Sequence, residues 1–220
     1  NRLIMQNMTF FGKSLLFIGA HPDDIELGCG ALIADIKDKS GIHCVTFSDN
    51  KKNPDLQHLL PEHYESMYVL GLKDENIEVC DFQTRLFPQN RQEVLEKMLQ
   101  LRRKYQPQIV FVHTAQDIHQ DHVTLTQEAM RAFRGTTVLG YDVLRSSYGF
   151  FPHFLVEVSR EAVDLKVAAL REYHTYAERY YFSEDVIRST AIRHGALAER
   201  DFAEGFDIIR IVGGFGCIPA

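Results

Sequence analysis

Two short clusters hold most of the residues in this chain that could do chemistry: His21-Pro22-Asp23-Asp24 and His119-Gln120-Asp121-His122. Imidazole nitrogen and carboxylate oxygen are the atoms zinc takes from proteins, and catalytic zinc uses three protein ligands plus a water. His21, Asp24 and His122 supply that number and those atom types. Asp23 would then remain beside the metal, placed to take a proton from a water whose pKa the metal lowers towards ~7. His119, if protonated, could donate to a developing oxyanion or a leaving amine, and Asp121 could hold that imidazole in the useful tautomer. Donor type does not single out zinc, because iron or another divalent ion accepts the same atoms.

Each cluster alone has a plainer reading. Aspartate favours helix N-caps, so H-P-D-D can be a loop that caps the next helix. H-x-x-H by itself is weaker still. His43, His58 and His63 have no comparable company and read as surface or packing residues. His113 ends a strand near the second cluster, where it could support a metal ligand, but it reads rather as a satisfied interior histidine.

What brings the clusters together is the alternation of elements. Ser14 to Gly19 is a short apolar run that reads as a buried strand. Gly30 to Lys39 reads as a helix stopped by Gly41, and Ile42 to Phe47 as the next strand, which makes a parallel βαβ unit. Pro61 to Leu70 (helix), Asn76 to Asp81 (strand), Arg91 to Tyr105 (helix), Ile109 to His113 (strand), Asp121 to Arg134 (helix) and Thr136 to Tyr141 (strand) continue the pattern. The C-terminal part mixes a strand at Phe154 to Val158 with two helical stretches and a last strand at Phe206 to Val212. The expectation is an α/β, single-domain, Rossmann-like fold with a mostly parallel sheet and helices on both faces. Residues 14–142 would form the core sheet, and 143–220 a C-terminal extension completing it. Both clusters follow strands, at the edge where such sheets bind ligands.

The 220-residue length fits one domain with a sizeable core. A net charge of -6 suits a phosphate backbone poorly, so nucleic acid is not expected as a partner. Cys29, Cys44, Cys80 and Cys217 form no C-x-x-C pair and read as buried reduced thiols of a cytoplasmic protein. No apolar run is long enough for a membrane helix, and Asn1 to Lys13 lacks a signal-peptide core. The oligomeric state stays open, a homo-oligomer included.

The stretch from Ala20 to Ala31 closely resembles the start of the LmbE-like, or PIG-L, N-acetylglucosaminyl deacetylases. It matches their H-P-D-D-x-E-x-G-x-G pattern at His21, Pro22, Asp23, Asp24, Glu26, Gly28 and Gly30. His119 to His122 fits their H-x-D-H, and Ala203 to Phe206 their A-E-x-F. The resemblance implies zinc on His21, Asp24 and His122, Asp23 as general base, His119 as oxyanion stabiliser and Asp121 as its orienter. The implied reaction is hydrolysis of an acetamide on an amino-sugar conjugate.

Two departures concern the acceptor. Where many members carry an arginine, Glu62 stands here, and near their Ser-Gln pair stands Tyr173-His174-Thr175-Tyr176. Arg145 and Tyr148 are candidate sugar contacts, whereas Phe150, Phe151 and Phe154 read mostly as core. Hydrolysis of another amide or an ester keeps the same metal chemistry. A non-catalytic dinucleotide-binding module would want G-x-G-x-x-G after the first strand, where this chain has H-P-D-D and only Gly28-Cys29-Gly30.

Overall fold

Strand β1 (Ser14–Gly19) is buried on both faces. Leu15 and Phe17 face one hydrophobic cluster, and Leu16 and Ile18 face the other. That period of two explains why the run is apolar throughout: a central parallel strand has no solvent side. The computed structural model describes residues 10–213. Among them, β1 is followed by α1 (Asp24–Ile36), β2 (Gly41–Thr46), α2 (Leu59–Val69), β3 (Ile77–Val79), α3 (Arg91–Tyr105), β4 (Ile109–His113), α4 (Gln120–Ala132) and β5 (Thr137–Tyr141). Then come β6 (Phe154–Glu157), α5 (Arg160–Arg171), α6 (Glu184–Leu197) and β7 (Ala203–Arg210).

The strands form one sheet in the order β3-β2-β1-β4-β5-β7-β6. The first five are parallel, and β7 runs antiparallel to both β5 and β6. Ile25 and Cys29 of α1, Met67 of α2 and Val163 of α5 pack on one face. Val94 and Met98 of α3 and Leu125 and Ala129 of α4 pack on the other. The mostly parallel α/β sheet read from the alternation is therefore the observed fold. Strand order reverses between β1 and β4, the switch point where such sheets open a crevice at the carboxyl ends.

Several boundaries differ from expectation. Helix α1 begins at Asp24, six residues before Gly30. Its glycines serve packing, not a loop: a Cβ on Gly28 would come within 2.1 Å of the Tyr141 ring. Strand β7 starts at Ala203, not Phe206, because Glu204 is satisfied inside the fold. It pairs with Lys166 at 2.7 Å and accepts the Ala31 and Leu32 N–H groups. Strand β3 is three residues long, and Phe151 is exposed, not core. Cys29 and Cys44 are buried free thiols and Cys80 is half-buried, whereas Cys217 lies outside the described residues. No described helix is long and apolar enough to cross a membrane.

Candidate functional site

Beyond Gly19 the chain turns sharply into α1. Asp23 holds the N-cap position at a φ of 98°, a left-handed conformation that costs about 1–3 kcal/mol in a non-glycine residue. Its side chain accepts no helix N–H, although it is only 8% exposed. The capping explanation of the motif therefore does not account for Asp23. Asp24 folds back instead: its Oδ2 accepts the backbone N–H groups of Ala20 at 3.0 Å and His21 at 2.8 Å.

On the neighbouring side, the loop after β4 carries Asp117, a residue the sequence reading missed. Its Oδ1 accepts the backbone N–H of His119 at 2.8 Å. Its Oδ2 accepts from His122 Nδ1 at 2.9 Å, Ser146 Oγ at 2.9 Å and Ser147 Oγ at 3.2 Å. Burial raises the Asp117 carboxyl, but the His122 ring, the nearby His113 and the His119 N–H outweigh it and hold the carboxyl down to about 2. The only sequence cue was an aspartate two residues before His119, the spacing of an Asx turn.

The two loops meet. His21 Nδ1 lies 3.3 Å from His122 Nε2 and 3.5 Å from Asp24 Oδ2, and the latter two atoms are 3.4 Å apart. Tetrahedral zinc with ligands at about 2.0–2.1 Å separates them by about 3.4 Å, so this donor triangle has the size the ion needs. Protonation states fit as well. Burial and the neighbouring His113 ring push His122 down to about 4, leaving the ring neutral. With Nδ1–H donated to Asp117, Nε2 presents a lone pair. His21 goes the other way: burial opposes its charging, but Asp121 and Asp24 outweigh that and raise it to about 10. Its surroundings favour positive charge, which a bound cation would supply in place of the proton.

Asp121 sits elsewhere than expected. Its Oδ2 accepts from His21 Nε2 at 3.0 Å, and its side chain makes no bond to His119. It also accepts the N–H groups of Arg85 at 2.6 Å and Phe87 at 3.3 Å. The reason is local geometry. His119 caps α4 by accepting the Asp121 backbone N–H at its Nδ1, 3.2 Å away, and the Asp121 carboxylate on the first turn is buried towards His21. With Nδ1 an acceptor, the His119 proton is on Nε2. Burial and the charge at His21 lower its pKa, which favours the neutral form of the ring.

Other histidines are drawn in more closely than the sequence suggested. His113 is buried and stacked on His122 at 3.7 Å, with Nε2 3.3 Å from Asp24 Oδ2. Its Nδ1 has no hydrogen-bond partner, so it is not the fully satisfied histidine expected. Asp24, His113 and His122 make a second compact donor set, wholly buried, and His21, His119 and His122 a third. His63 is buried between Thr46 Oγ1 at 3.0 Å and Glu26 Oε1 at 2.9 Å.

The site opens into a cavity of about 540 Å³. His21, Asp23, Asp24, His119 and His122 line its floor, and Arg145, Tyr176, Arg179 and Tyr181 line a wall. Arg145 is thus among the lining residues. Tyr148 is not: it is 80% exposed and does not line the cavity. Tyr176, Arg179 and Tyr181 lie in or beside short 3-10 turns that carry no periodic signal; Tyr176 falls in the segment already marked as a departure from the family pattern, whereas sequence reasoning missed Arg179 and Tyr181. The two departures from the family pattern touch each other: Glu62 accepts the Thr175 N–H at 3.0 Å and hydroxyl at 3.0 Å. Glu62 therefore anchors the segment that carries the wall.

Fold and site together define a Rossmann-like α/β protein with a histidine–aspartate centre at its topological switch point. The family model for PIG-L, GlcNAc-PI de-N-acetylase, matches residues 16–133. The deacetylase YaiS of Escherichia coli (strain K12), itself described as uncharacterized, is 32% identical over 168 residues, covering 73% of this chain and 90% of YaiS. The chain belongs to the PIG-L family. N,N'-diacetylchitobiose deacetylase from Pyrococcus horikoshii has the same fold, with a TM-score of 0.71 at 20% identity over 90% of this chain and 84% of its own. So does GalB, the 4-carboxy-2-hydroxymuconate hydratase of Pseudomonas putida KT2440, with a TM-score of 0.71 at 17% identity over 93% and 100% of the two chains. A deacetylase and a hydratase on one fold mean that the reaction must be argued from the site.

Proposed function

We propose that the chain is a metal-dependent hydrolase that removes an N-acetyl group from an amino-sugar conjugate. The observation that carries this reading is the donor triangle of His21, Asp24 and His122, with Asp23 beside it, in a chain of the PIG-L family. His21, Asp24 and His122 would hold a divalent cation, zinc by donor type, on the cavity floor. Such an ion would polarise the acetamide carbonyl and make water a nucleophile near neutral pH.

The protein's own groups do the rest. Asp23 takes a proton from the attacking water as the oxygen adds to the acetamide carbon. Burial, Asp24 and Glu26 raise the Asp23 pKa well above the usual carboxylate range, which makes it a stronger base than a solvated carboxylate. His119 donates its Nε2–H to the oxyanion of the tetrahedral intermediate. The C–N bond then breaks as Asp23 passes the proton it took from water to the nitrogen, and acetate and a free amine leave. Asp117 positions His122 and His119, and Asp121 positions His21.

The test is acetate release. Purified protein loaded with zinc or ferrous ion should release acetate from members of a panel of N-acetylated amino sugars and their glycosides, and chelation should stop it. A loaded protein that releases none, or that prefers O-acetyl esters of the same sugars, contradicts the assignment.

A further inference from the structure

Residues 172–183, between α5 and α6, hold only two short 3-10 turns, yet they carry Tyr176, Arg179 and Tyr181 of the cavity wall. A segment without a helix or sheet ladder must be placed by its side chains. Near its start the buried Tyr173 donates its hydroxyl to Glu26 Oε1 at 2.5 Å. The same oxygen accepts from His63 Nδ1 at 2.9 Å, and that nitrogen lies 2.8 Å from the Tyr173 hydroxyl. With Nδ1 donating, His63 Nε2 accepts from Thr46 Oγ1 at 3.0 Å. Glu26, His63 and Thr46 come from α1, α2 and β2, and all three are buried. The Tyr173 ring then packs on Tyr176 and Phe182, with ring centres 6.1 and 5.7 Å apart.

Burying a carboxylate is costly, and Glu26 Oε2 has no hydrogen-bond partner among the described residues. The cluster is therefore a poor way to add stability. What it supplies is a fixed position. A hydrogen bond to a carboxylate weakens steeply when its donor shifts, whereas apolar contacts let rings slide. Glu26 lies three residues after Asp23, the spacing of one helix face. One hydroxyl thus ties the wall to the helix that opens on the catalytic floor. We propose that Tyr173 is a positioning residue: its hydroxyl, held by Glu26 and His63, sets the wall's distance from the floor, and with it the grip on the part of the substrate beyond the acetamide. Without that tie the wall must be ordered as substrate binds, which weakens binding. The inference rests on the deacetylase reading, since it concerns binding of the same substrate.

The experiment compares free N-acetylglucosamine, too short to span floor and wall, with its 4-nitrophenyl glycoside. Each is assayed for acetate release by metal-loaded protein. Wild type should favour the glycoside in kcat/KM. Tyr173→Phe keeps the ring and removes the tie. It should raise KM for the glycoside about 10-fold, with kcat and the kcat/KM of the free sugar both within about threefold of wild type. Thr175→Val removes the second contact of the same segment, the hydroxyl bond to Glu62, and should act in the same direction more weakly. If thermal melting shows Tyr173→Phe to be misfolded, Thr175→Val still reports. A wild-type preference of one or less overturns the proposal and leaves the deacetylase reading standing. So does an unchanged glycoside KM in the folded variants, or an equal loss on both substrates, which is what a merely structural role would give. Release of acetate from neither substrate by metal-loaded wild type is the failure of the deacetylase reading itself, and the positioning role falls with it.

Discussion

Replacing Asp23 by Asn isolates the proton-transfer step from everything else the site does. The carboxylate is buried, accepts no helix N–H and supplies no corner of the donor triangle. Asparagine keeps its shape and removes its basicity. General base catalysis contributes roughly a hundredfold to ten-thousandfold, so kcat should fall by about 3–5 kcal/mol of barrier. Excess substrate should not restore it, because the lost interaction belongs to the transition state. Folding should not suffer. Burial and the Asp24 and Glu26 carboxylates disfavour charge at this position, so a neutral amide relieves repulsion there. The metal-free variant should therefore melt at the wild-type temperature or above. Three readings on one preparation decide the matter: acetate release, metal content by elemental analysis and thermal melting. Turnover within about threefold of wild type would show that Asp23 is not the base. Loss of the metal would show that it is a ligand.

Asp121→Ala should weaken metal affinity about 10-fold to 100-fold, because it frees the His21 ring. If the variant kept full affinity and lost only turnover, Asp121 would act through His119 after all. Gly28→Ala should destabilise the fold by about 1–3 kcal/mol or more in denaturant titration, since the added methyl meets the Tyr141 ring at 2.1 Å; an unchanged midpoint would contradict the packing described. His194 gives a pH dependence. Burial, with Lys166 and Arg193 nearby, lowers it to about 4, so the folded state keeps it neutral. The unfolded chain takes up that proton first as pH falls below about 6.5, so this contribution to stability is full above that value and is lost between about 6.5 and 4. In His194→Asn that slope should shrink, as read by urea unfolding at a series of pH values.

The regular part of the fold was legible because central strands such as Leu15 to Ile18 are apolar on both faces, a pattern that long periodic helices do not share. Packing of small residues was not legible: Gly28 read as loop sequence, yet it lies inside α1 because Tyr141, far away in the chain, needs the space. The metal-ligand candidates were readable because they sit in two dense clusters directly after strands. Their supporting residues were not. Asp121 stands two positions from His119, and sequence adjacency suggested a local pair, but the helix start buries the carboxylate on His21. Asp117 and the Tyr176–Arg179–Tyr181 wall depend on loops folding back over the sheet, for which no periodicity exists to be read. Tyr148 shows the converse: a plausible aromatic in a plausible segment, left in solvent.

The most direct test of the metal centre is a crystal structure of zinc-loaded protein with anomalous data on both sides of the zinc edge. The account predicts one strong peak at about 2.0–2.2 Å from His21 Nδ1, Asp24 and His122 Nε2, with Asp23 near it but unbound. A peak held by Asp24, His113 and His122 instead, with His21 free, would contradict it. So would a loaded protein with no peak between the two loops.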